Sequence, residues 1–120
     1  MIVDVKEKDP YGLDPNDPGA KLDHGKVKAG VLEDFSRALW EVARVGTFGA
    51  NKYSRGGWKD VPNGEERYKD AKWRHLLKRE IEGEIDEDSQ CLHLAQEVWN
   101  GLAELEFMLR KSEPNDKFNV

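Results

Sequence analysis

Apolar residues recur at intervals of three and four along three stretches of the chain, the spacing that places side chains on one face of an α-helix. The first stretch predicts a helix over residues 30–53, with apolar positions at Leu32, Phe35, Leu39, Val42 and Val45. The other two predict helices over residues 65–82 and 89–111. No stretch of any length alternates apolar and polar residues as a strand does. The pattern therefore predicts an all-α fold, an antiparallel bundle of three main helices.

The first twenty residues break the helical pattern. They contain three of the five prolines together with two glycines, and proline and glycine at this density favour turns. We predict an extended N-terminal arm over residues 1–20, a helical domain over residues 21–112 and a C-terminal tail over residues 113–120.

Composition bounds the class of protein. A chain of 120 residues suffices for one domain with a modest core, and 36% of its residues are charged. This balance suits helices with long solvated faces, or an oligomer in which each protomer completes its core against a partner. No apolar run reaches the roughly 18 residues of a membrane span, and no signal-peptide pattern is present. We therefore expect a cytoplasmic protein that does not contact a membrane.

Charge narrows the choice of ligand. The formal net charge of −5 argues against stable nucleic-acid binding, which needs a basic surface. Basic residues nevertheless cluster early in the chain, around Lys21 and Lys26, and at mid-chain, around Arg74. Local positive patches on an acidic protein suit a small anionic ligand.

Residue types that bind metals occur among the apolar positions of the second and third helices. They are His75, Glu80 and Glu84 on the second, and His93, Gln96, Glu97 and Asn100 on the third. Carboxylates and imidazoles on facing helices hold divalent cations in α-bundles. Simpler interpretations stay open: the acids can be a solvated face, His75 a hydrogen-bonded core residue, and the polar side of the third helix can face water or line a cavity.

Familiar catalytic signatures are absent. The chain has no GxGxxG or GxxxxGK[ST] motif, so dinucleotide-binding and P-loop folds are excluded on motif grounds. It has no CxxC or HExxH motif, and neither His75 nor His93 is followed by aspartate. The glycine-rich segment GANKYSRGGW instead places aromatic and basic side chains beside glycines, which allow close approach of a ligand to the backbone.

Five segments in order carry a resemblance to a known family: GAKLDHGK, LWEVARVGTFGANKY, GGW, AKWRHLLKREIEGE and DEDSQCLHLAQEVWN. Over about residues 19–107 the chain resembles the phage-type dATP/dGTP diphosphohydrolase domain, which is related to MazG-like all-α nucleotide pyrophosphohydrolases. The resemblance implies a Mg²⁺-dependent enzyme, with Mn²⁺ as the other candidate ion. It would cut a purine deoxynucleoside triphosphate into the monophosphate and pyrophosphate. It also implies a homodimer or homotetramer and, for a phage-encoded chain, a place in the host cytoplasm.

The resemblance and the charge of the substrate together imply a set of site residues. As catalytic groups we expect Glu41, His75, Glu84 and His93. As metal ligands we expect Glu41, Glu80, Glu84 and Asp88. As substrate-binding groups we expect Lys21, Asp23, Lys26, Lys52, Tyr53, Trp58, Arg74 and Asn100. The alternatives are a non-enzymatic helical interaction protein that binds a host or viral partner, and a triphosphohydrolase, which differs only in its product.

Overall fold

A computed structural model of the protein describes residues 7–112 and divides the chain into two compact units, one up to residue 32 and one from residue 33. The helical elements in chain order are a 3-10 helix Ala29–Phe35, α1 Ser36–Lys52, a 3-10 helix Gly57–Asp60, α2 Gly64–Glu82 and α3 His93–Ser112. Within residues 7–112 the one β-type pairing is an isolated bridge between Ile85 and Leu92. The prediction of an all-α fold with three main helices is confirmed. None of the described helices combines the length and apolar character that crossing a bilayer requires.

In the first unit, the side chain of Asp9 organises a series of turns. Its carboxylate accepts hydrogen bonds from the backbone N–H groups of Tyr11 at 2.7 Å, Leu13 at 3.3 Å and Lys21 at 2.9 Å. One carboxylate thus bonds to backbone on both sides of the intervening loop, which folds residues 9–21 back instead of leaving them fully extended. The start of the predicted arm and the whole predicted tail, residues 1–6 and 113–120, lie outside the described residues.

In the second unit, α2 and α3 lie side by side in opposite directions. Lys72 pairs with Glu104 at 2.6 Å, and Arg79 pairs with Glu97 at 3.2 Å. The later residue of α2 thus pairs with the earlier residue of α3, which shows that the two helices are antiparallel. The Arg79–Glu97 pair is largely screened from water, so each charge compensates the other where solvation is weak. Helix α1 packs on α3 less extensively.

Four aromatic rings hold one end of this helix pair together. Trp58, from the loop before α2, contacts Tyr68 of α2 and Trp99 and Phe107 of α3, with ring centroids 5.6–6.4 Å apart and edge-to-face geometry. Aromatic pairs in this arrangement contribute about 0.5–1.5 kcal/mol beyond their buried area. The cluster anchors the loop between α1 and α2 to both helices.

A tight loop separates α2 from α3. Gly83 ends α2 with a positive φ of 104°, which glycine adopts without strain. The backbone N–H of Asp86 then bonds to Cys91 O at 2.9 Å, and that of His93 bonds to Glu84 O at 2.8 Å. Because these backbone groups pair across the loop, residues 89–92 are not free to form a helical turn. Helix α3 consequently begins at His93, four residues after the predicted start.

Helix α3 turns its polar row inward and an apolar row outward. His93 is completely buried, and Gln96 and Asn100 are each 8% exposed. The exposed apolar row consists of Leu94, Val98, Leu102 and Leu105, each 44–49% exposed. The buried apolar side chains of the described residues are small, namely Val42, Cys91, Ala95 and Ala103. Of the two interpretations of the polar side of α3, the structure supports the one in which it lines a cavity.

Substitutions at two glycines, one in α2 and one in α3, can test how tightly these helices pack. A Cβ at Gly64 would overlap the ring of Phe107, whereas a Cβ at Gly101 would meet only Lys72 Cδ at 3.7 Å. We expect Gly64→Ala to lower the free energy of unfolding by about 1–3 kcal/mol, because the aromatic cluster must shift. We expect Gly101→Ala to leave it unchanged or raise it by up to about 1 kcal/mol, because alanine favours the helix.

Chemical denaturation of the two variants and the parent chain measures both effects. Equal stability of Gly64→Ala and the parent would show that Phe107 does not occupy the space beside α2.

Candidate functional site

Three side chains converge from the second half of α2, the following loop and the start of α3. They are His75, Asp86 and His93, and their ligand atoms all lie within 4.8 Å of one another. The two imidazoles are in contact, with Nδ1 of His75 2.9 Å from Nδ1 of His93. Two nitrogens at this distance need either one shared proton or a cation between them, because two lone pairs repel each other.

Glu82 determines which nitrogen of His93 carries the proton. The Nε2 of His93 lies 3.3 Å from Oε2 of Glu82. A carboxylate accepts a hydrogen bond, so Nε2 is the protonated nitrogen and Nδ1 presents its lone pair towards His75. A carboxylate behind an imidazole in this way is the usual partner of a histidine that binds a metal.

Asp86 is held by its own loop and by α3. Its Oδ2 accepts hydrogen bonds from Gln96 Nε2 at 2.9 Å and Ser89 Oγ at 3.1 Å, and its Oδ1 accepts one from the backbone N–H of Asp88 at 3.1 Å. Burial by itself would raise the pKa of Asp86, but these hydrogen bonds outweigh burial and lower it. Asp86 is therefore a carboxylate at neutral pH, with one lone pair of Oδ1 still available to a ligand.

The environment of His75 favours its neutral form. Desolvation lowers the pKa of the imidazole below 6.5, and the neighbouring His93, Lys78 and Arg74 act in the same direction, while the Asp86 carboxylate opposes them. A neutral imidazole keeps a lone pair for a metal or a proton.

The convergent side chains open onto a cleft of about 1710 Å³ between α1, α2 and the start of α3. Its lining includes six basic residues, Lys52, Arg55, Lys59, Arg67, Arg74 and Lys78, against three acidic ones, Asp70, Asp86 and Asp88. The cleft of this acidic chain thus has a formal excess of three positive charges. An anionic ligand is the natural occupant of such a cleft.

Most of the expected substrate-binding residues and one of the expected metal ligands lie on this cleft. The lining contains Lys52, Tyr53, Trp58, Arg74, His75, Asp88 and Asn100, and His93 lies buried behind it. Lys52 reaches across it, with Nζ 3.9 Å from Oδ2 of Asp88. Tyr53 is 78% exposed and can stack on a planar group. Trp58 is instead engaged by the aromatic cluster and by Arg110, whose Cζ lies 5.3 Å from its ring.

The remaining expected site residues are not among those that line the cleft. Glu41 pairs with Arg44 at 3.7 Å and lines a separate shallow depression on α1. Glu80 and Glu84 are exposed, and Glu84 contributes its backbone oxygen to the hydrogen bond from His93. Lys21, Asp23 and Lys26 belong to the first unit, where Lys26 pairs with Glu7 at 3.0 Å. Their roles stay predictions.

Asp86 and Glu82 were not among the expected site residues. The segment EGEIDEDS offers six acidic or hydroxyl side chains within eight residues, and only the fold of the loop selects Asp86 to point inward. The one local signal is the serine three residues after Asp86, which is typical of a side-chain-stabilised turn.

Comparison with known proteins then places the chain. Residues 16–117 match the model of the family described as dATP/dGTP diphosphohydrolase, N-terminal. The chain belongs to this family. A dATP/dGTP diphosphohydrolase of Salmonella phage PMBT28 is 34% identical to this chain over 98 residues, which cover 82% of the chain. The domain spans about a third of that phage protein, 32% of its length. No solved structure matches the domain.

The lowered pKa of His75 predicts how stability depends on pH in the absence of metal. Unfolding returns His75 to its ordinary pKa of 6.5, so below that pH the unfolded chain binds a proton that the folded chain resists. We therefore expect His75 to leave stability unaffected above about pH 6.5 and to lower the free energy of unfolding progressively as the pH falls below it.

Denaturant titrations from pH 8 to pH 5 in the presence of a chelator measure this effect. His75→Gln should flatten the pH dependence of the free energy of unfolding, whereas the exposed-histidine control His24→Gln should not. Identical curves for the parent and His75→Gln would contradict the assignment.

Proposed function

We propose that this domain hydrolyses purine deoxynucleoside triphosphates, dGTP or dATP, to the monophosphate and pyrophosphate in control of a phage nucleotide pool. The single observation that carries the proposal is a basic cleft lined by His75 and Asp86, which converge with the buried His93. Membership of the family and the name of the phage relative support the substrate class.

Charge supports a polyphosphate as the ligand. A nucleoside triphosphate brings about four negative charges, which the six basic side chains of the cleft can balance as charge-assisted hydrogen bonds form. Arg74 and Lys78 extend from the same part of α2 as His75, one residue before it and three after it. Phosphates bound by these groups would lie beside the imidazoles.

We propose Mg²⁺, or Mn²⁺ in its place, as the ion that accompanies the triphosphate. Mg²⁺ prefers oxygen ligands and usually bridges phosphate oxygens while holding few protein groups. Among the expected carboxylate ligands, Asp88 is the one on the cleft, where it is exposed and faces Lys52. A bound Mg²⁺ would neutralise phosphate charge and orient the α-phosphate.

In the proposed reaction, a water oxygen forms a bond to the α-phosphorus and the bond from that phosphorus to the bridging oxygen of the β-phosphate breaks. Pyrophosphate leaves with the bonding electron pair, and the proton of the attacking water passes to a neighbouring base or to solvent. The basic side chains stabilise charge that moves onto the leaving group. Tyr53, exposed at the rim, is the ring on which the base can stack.

Product analysis tests the proposed function. We expect the purified chain with Mg²⁺ to convert dGTP or dATP, and not dCTP or dTTP, to the monophosphate and pyrophosphate, as resolved by ion-exchange chromatography. Triphosphate as the product would support a triphosphohydrolase instead. No turnover of any deoxynucleotide would overturn the proposal for this domain.

Two matched substitutions on α2 test the cleft. Arg74 lines the cleft and Lys69 is exposed outside its lining. We expect Arg74→Gln to lower kcat/KM by roughly 10- to 100-fold, because a charge-assisted contact to phosphate is lost, and Lys69→Gln to leave it unchanged. Steady-state kinetics with the preferred nucleotide measures both, and equal losses in the two variants would argue against phosphate binding in this cleft.

We also propose that the domain acts as a homo-oligomer that packs through α3. On α3, the side that lines the cleft carries Gln96 and Asn100. The opposite side of this helix carries the exposed row Leu94, Val98, Leu102 and Leu105. This row contains no charge, so it is complementary to a second copy of itself about a two-fold axis. A contiguous exposed apolar row of this kind is a candidate interaction surface.

A charge placed in this row tests the interface. We expect the parent domain to elute as a dimer or larger assembly in size-exclusion chromatography with light scattering, and Val98→Glu to dissociate it. The matched control Val27→Glu changes a 78% exposed valine in the first unit and should leave the assembly intact. A monomeric parent would contradict self-association and leave the row to a different partner, as in a helical interaction protein.

A further inference from the structure

We infer that His75, Asp86 and His93 form a resident site for a first-row divalent transition ion of the Mn²⁺, Fe²⁺ or Co²⁺ kind, and that Mg²⁺ is not the ion of this site. The catalytic meaning of the site rests on the proposed function. The binding of the ion does not, because it is measured without nucleotide.

The donor set is the first argument. Two imidazole nitrogens and one carboxylate oxygen converge within 4.8 Å. Mg²⁺ demands oxygen ligands and gives up its water reluctantly, so a site with two nitrogens among three protein donors fits it poorly. Two histidines and one carboxylate with open positions are instead a known arrangement for divalent iron and related ions.

The distance between the imidazoles is the second argument. An ion about 2.1 Å from each nitrogen would hold two adjacent ligands of an octahedron about 3.0 Å apart, and two ligands of a tetrahedron about 3.4 Å apart. The observed separation of the two Nδ1 atoms is 2.9 Å. The pair therefore suits adjacent positions of an octahedral ion.

The third argument is that each ligand is already oriented. His93 is completely buried, and Glu82 holds its proton on Nε2, which leaves Nδ1 free to bind. Asp86 receives three hydrogen bonds onto four lone-pair positions, and the remaining one is on Oδ1. Gln96 and Ser89 therefore act as positioning residues for Asp86.

A competing interpretation needs no ion. A single proton on one Nδ1 would also satisfy the contact between His75 and His93, and Gln96 and Ser89 would then only stabilise the loop. The two interpretations differ in one respect that can be measured: a proton-sharing pair has no preference among divalent ions, whereas a two-nitrogen site discriminates strongly against Mg²⁺.

When bound, such an ion supplies Lewis-acid polarisation of a phosphate oxygen that enters from the cleft. The chain's own part is to hold one buried and one half-buried imidazole beside one carboxylate and to leave open positions towards the basic lining. The ion at this site and the Mg²⁺ that accompanies the nucleotide would therefore occupy different places, one behind the cleft and one on its exposed side near Asp88.

Metal binding without nucleotide tests the inference. The chain is stripped with a chelator and dialysed, and its Tm is recorded over the same concentration series of MnCl₂, CoCl₂ and MgCl₂. We expect Mn²⁺ and Co²⁺ to raise the Tm at concentrations at least tenfold below those at which Mg²⁺ has any effect. Equal effects of Mg²⁺ and Mn²⁺, or no effect of any ion, would overturn the inference.

Substitutions locate the bound ion. We expect His75→Asn and Asp86→Asn each to abolish the shift caused by Mn²⁺, and His24→Asn, which changes the third histidine of the chain, to retain it in full. His75 is preferred to the completely buried His93 as the first target, and circular dichroism verifies that each variant is helical. A shift that survives in a helical His75→Asn variant would overturn the site.

The visible absorption of Co²⁺ supplies a readout independent of stability and of turnover. We expect d–d bands of an octahedral Co²⁺ complex at one equivalent of ion per chain, and their loss in Asp86→Asn. Hydrolysis supported by Mg²⁺ with no Co²⁺ or Mn²⁺ binding would refute this inference and leave the proposed function intact. Binding of Co²⁺ without hydrolysis of any nucleotide would support the metal site and refute the proposed function.

Discussion

The contact between the imidazoles of His75 and His93 is the interaction on which the rest of the structure depends. It joins the second half of α2 to the first residue of α3. Burying an imidazole, as the fold does with His93, costs free energy unless its nitrogens have partners. Glu82 lies beside Nε2 of His93, and the two Nδ1 atoms face each other, which accounts for three of the four ring nitrogens. The fourth, Nε2 of His75, belongs to a ring that is only half-buried.

The need for hydrogen-bond partners for buried polar groups extends to the loop after α2 and to α3. Asp86 is held inward by Gln96 and Ser89, and Asn100 in turn donates to the backbone oxygen of Gln96 at 2.7 Å. A chain of hydrogen bonds thus runs along the inner side of α3. A buried polar network of this kind is stable only when all its members are satisfied, which gives the site its definite geometry. The same network directs the apolar side of α3 away from α2.

The distribution of charge and apolar surface follows from that orientation. With the polar row inside, the cleft carries an excess of positive charge on a chain whose formal net charge is −5. The buried apolar residues among those described are few and small, and the large aliphatic residues of α3 are half exposed. Aromatic packing around Trp58 and the ion pairs between α2 and α3 hold the helices together in place of a large aliphatic core.

The sequence by itself determined the helical class, the number of main helices and the family, because apolar periodicity and the order of motifs are properties of the chain alone. It also identified His75 and His93 as metal-binding residue types. Only the tertiary structure decided which side of α3 faces inward. The polar row and the apolar row repeat with the same helical period, so the period does not say which of them is buried. The tertiary structure also decided that Asp86, and not Glu80 or Glu84, joins the histidines. That choice depends on backbone pairing across the loop between Glu84 and His93, which brings together residues that helical spacing cannot relate.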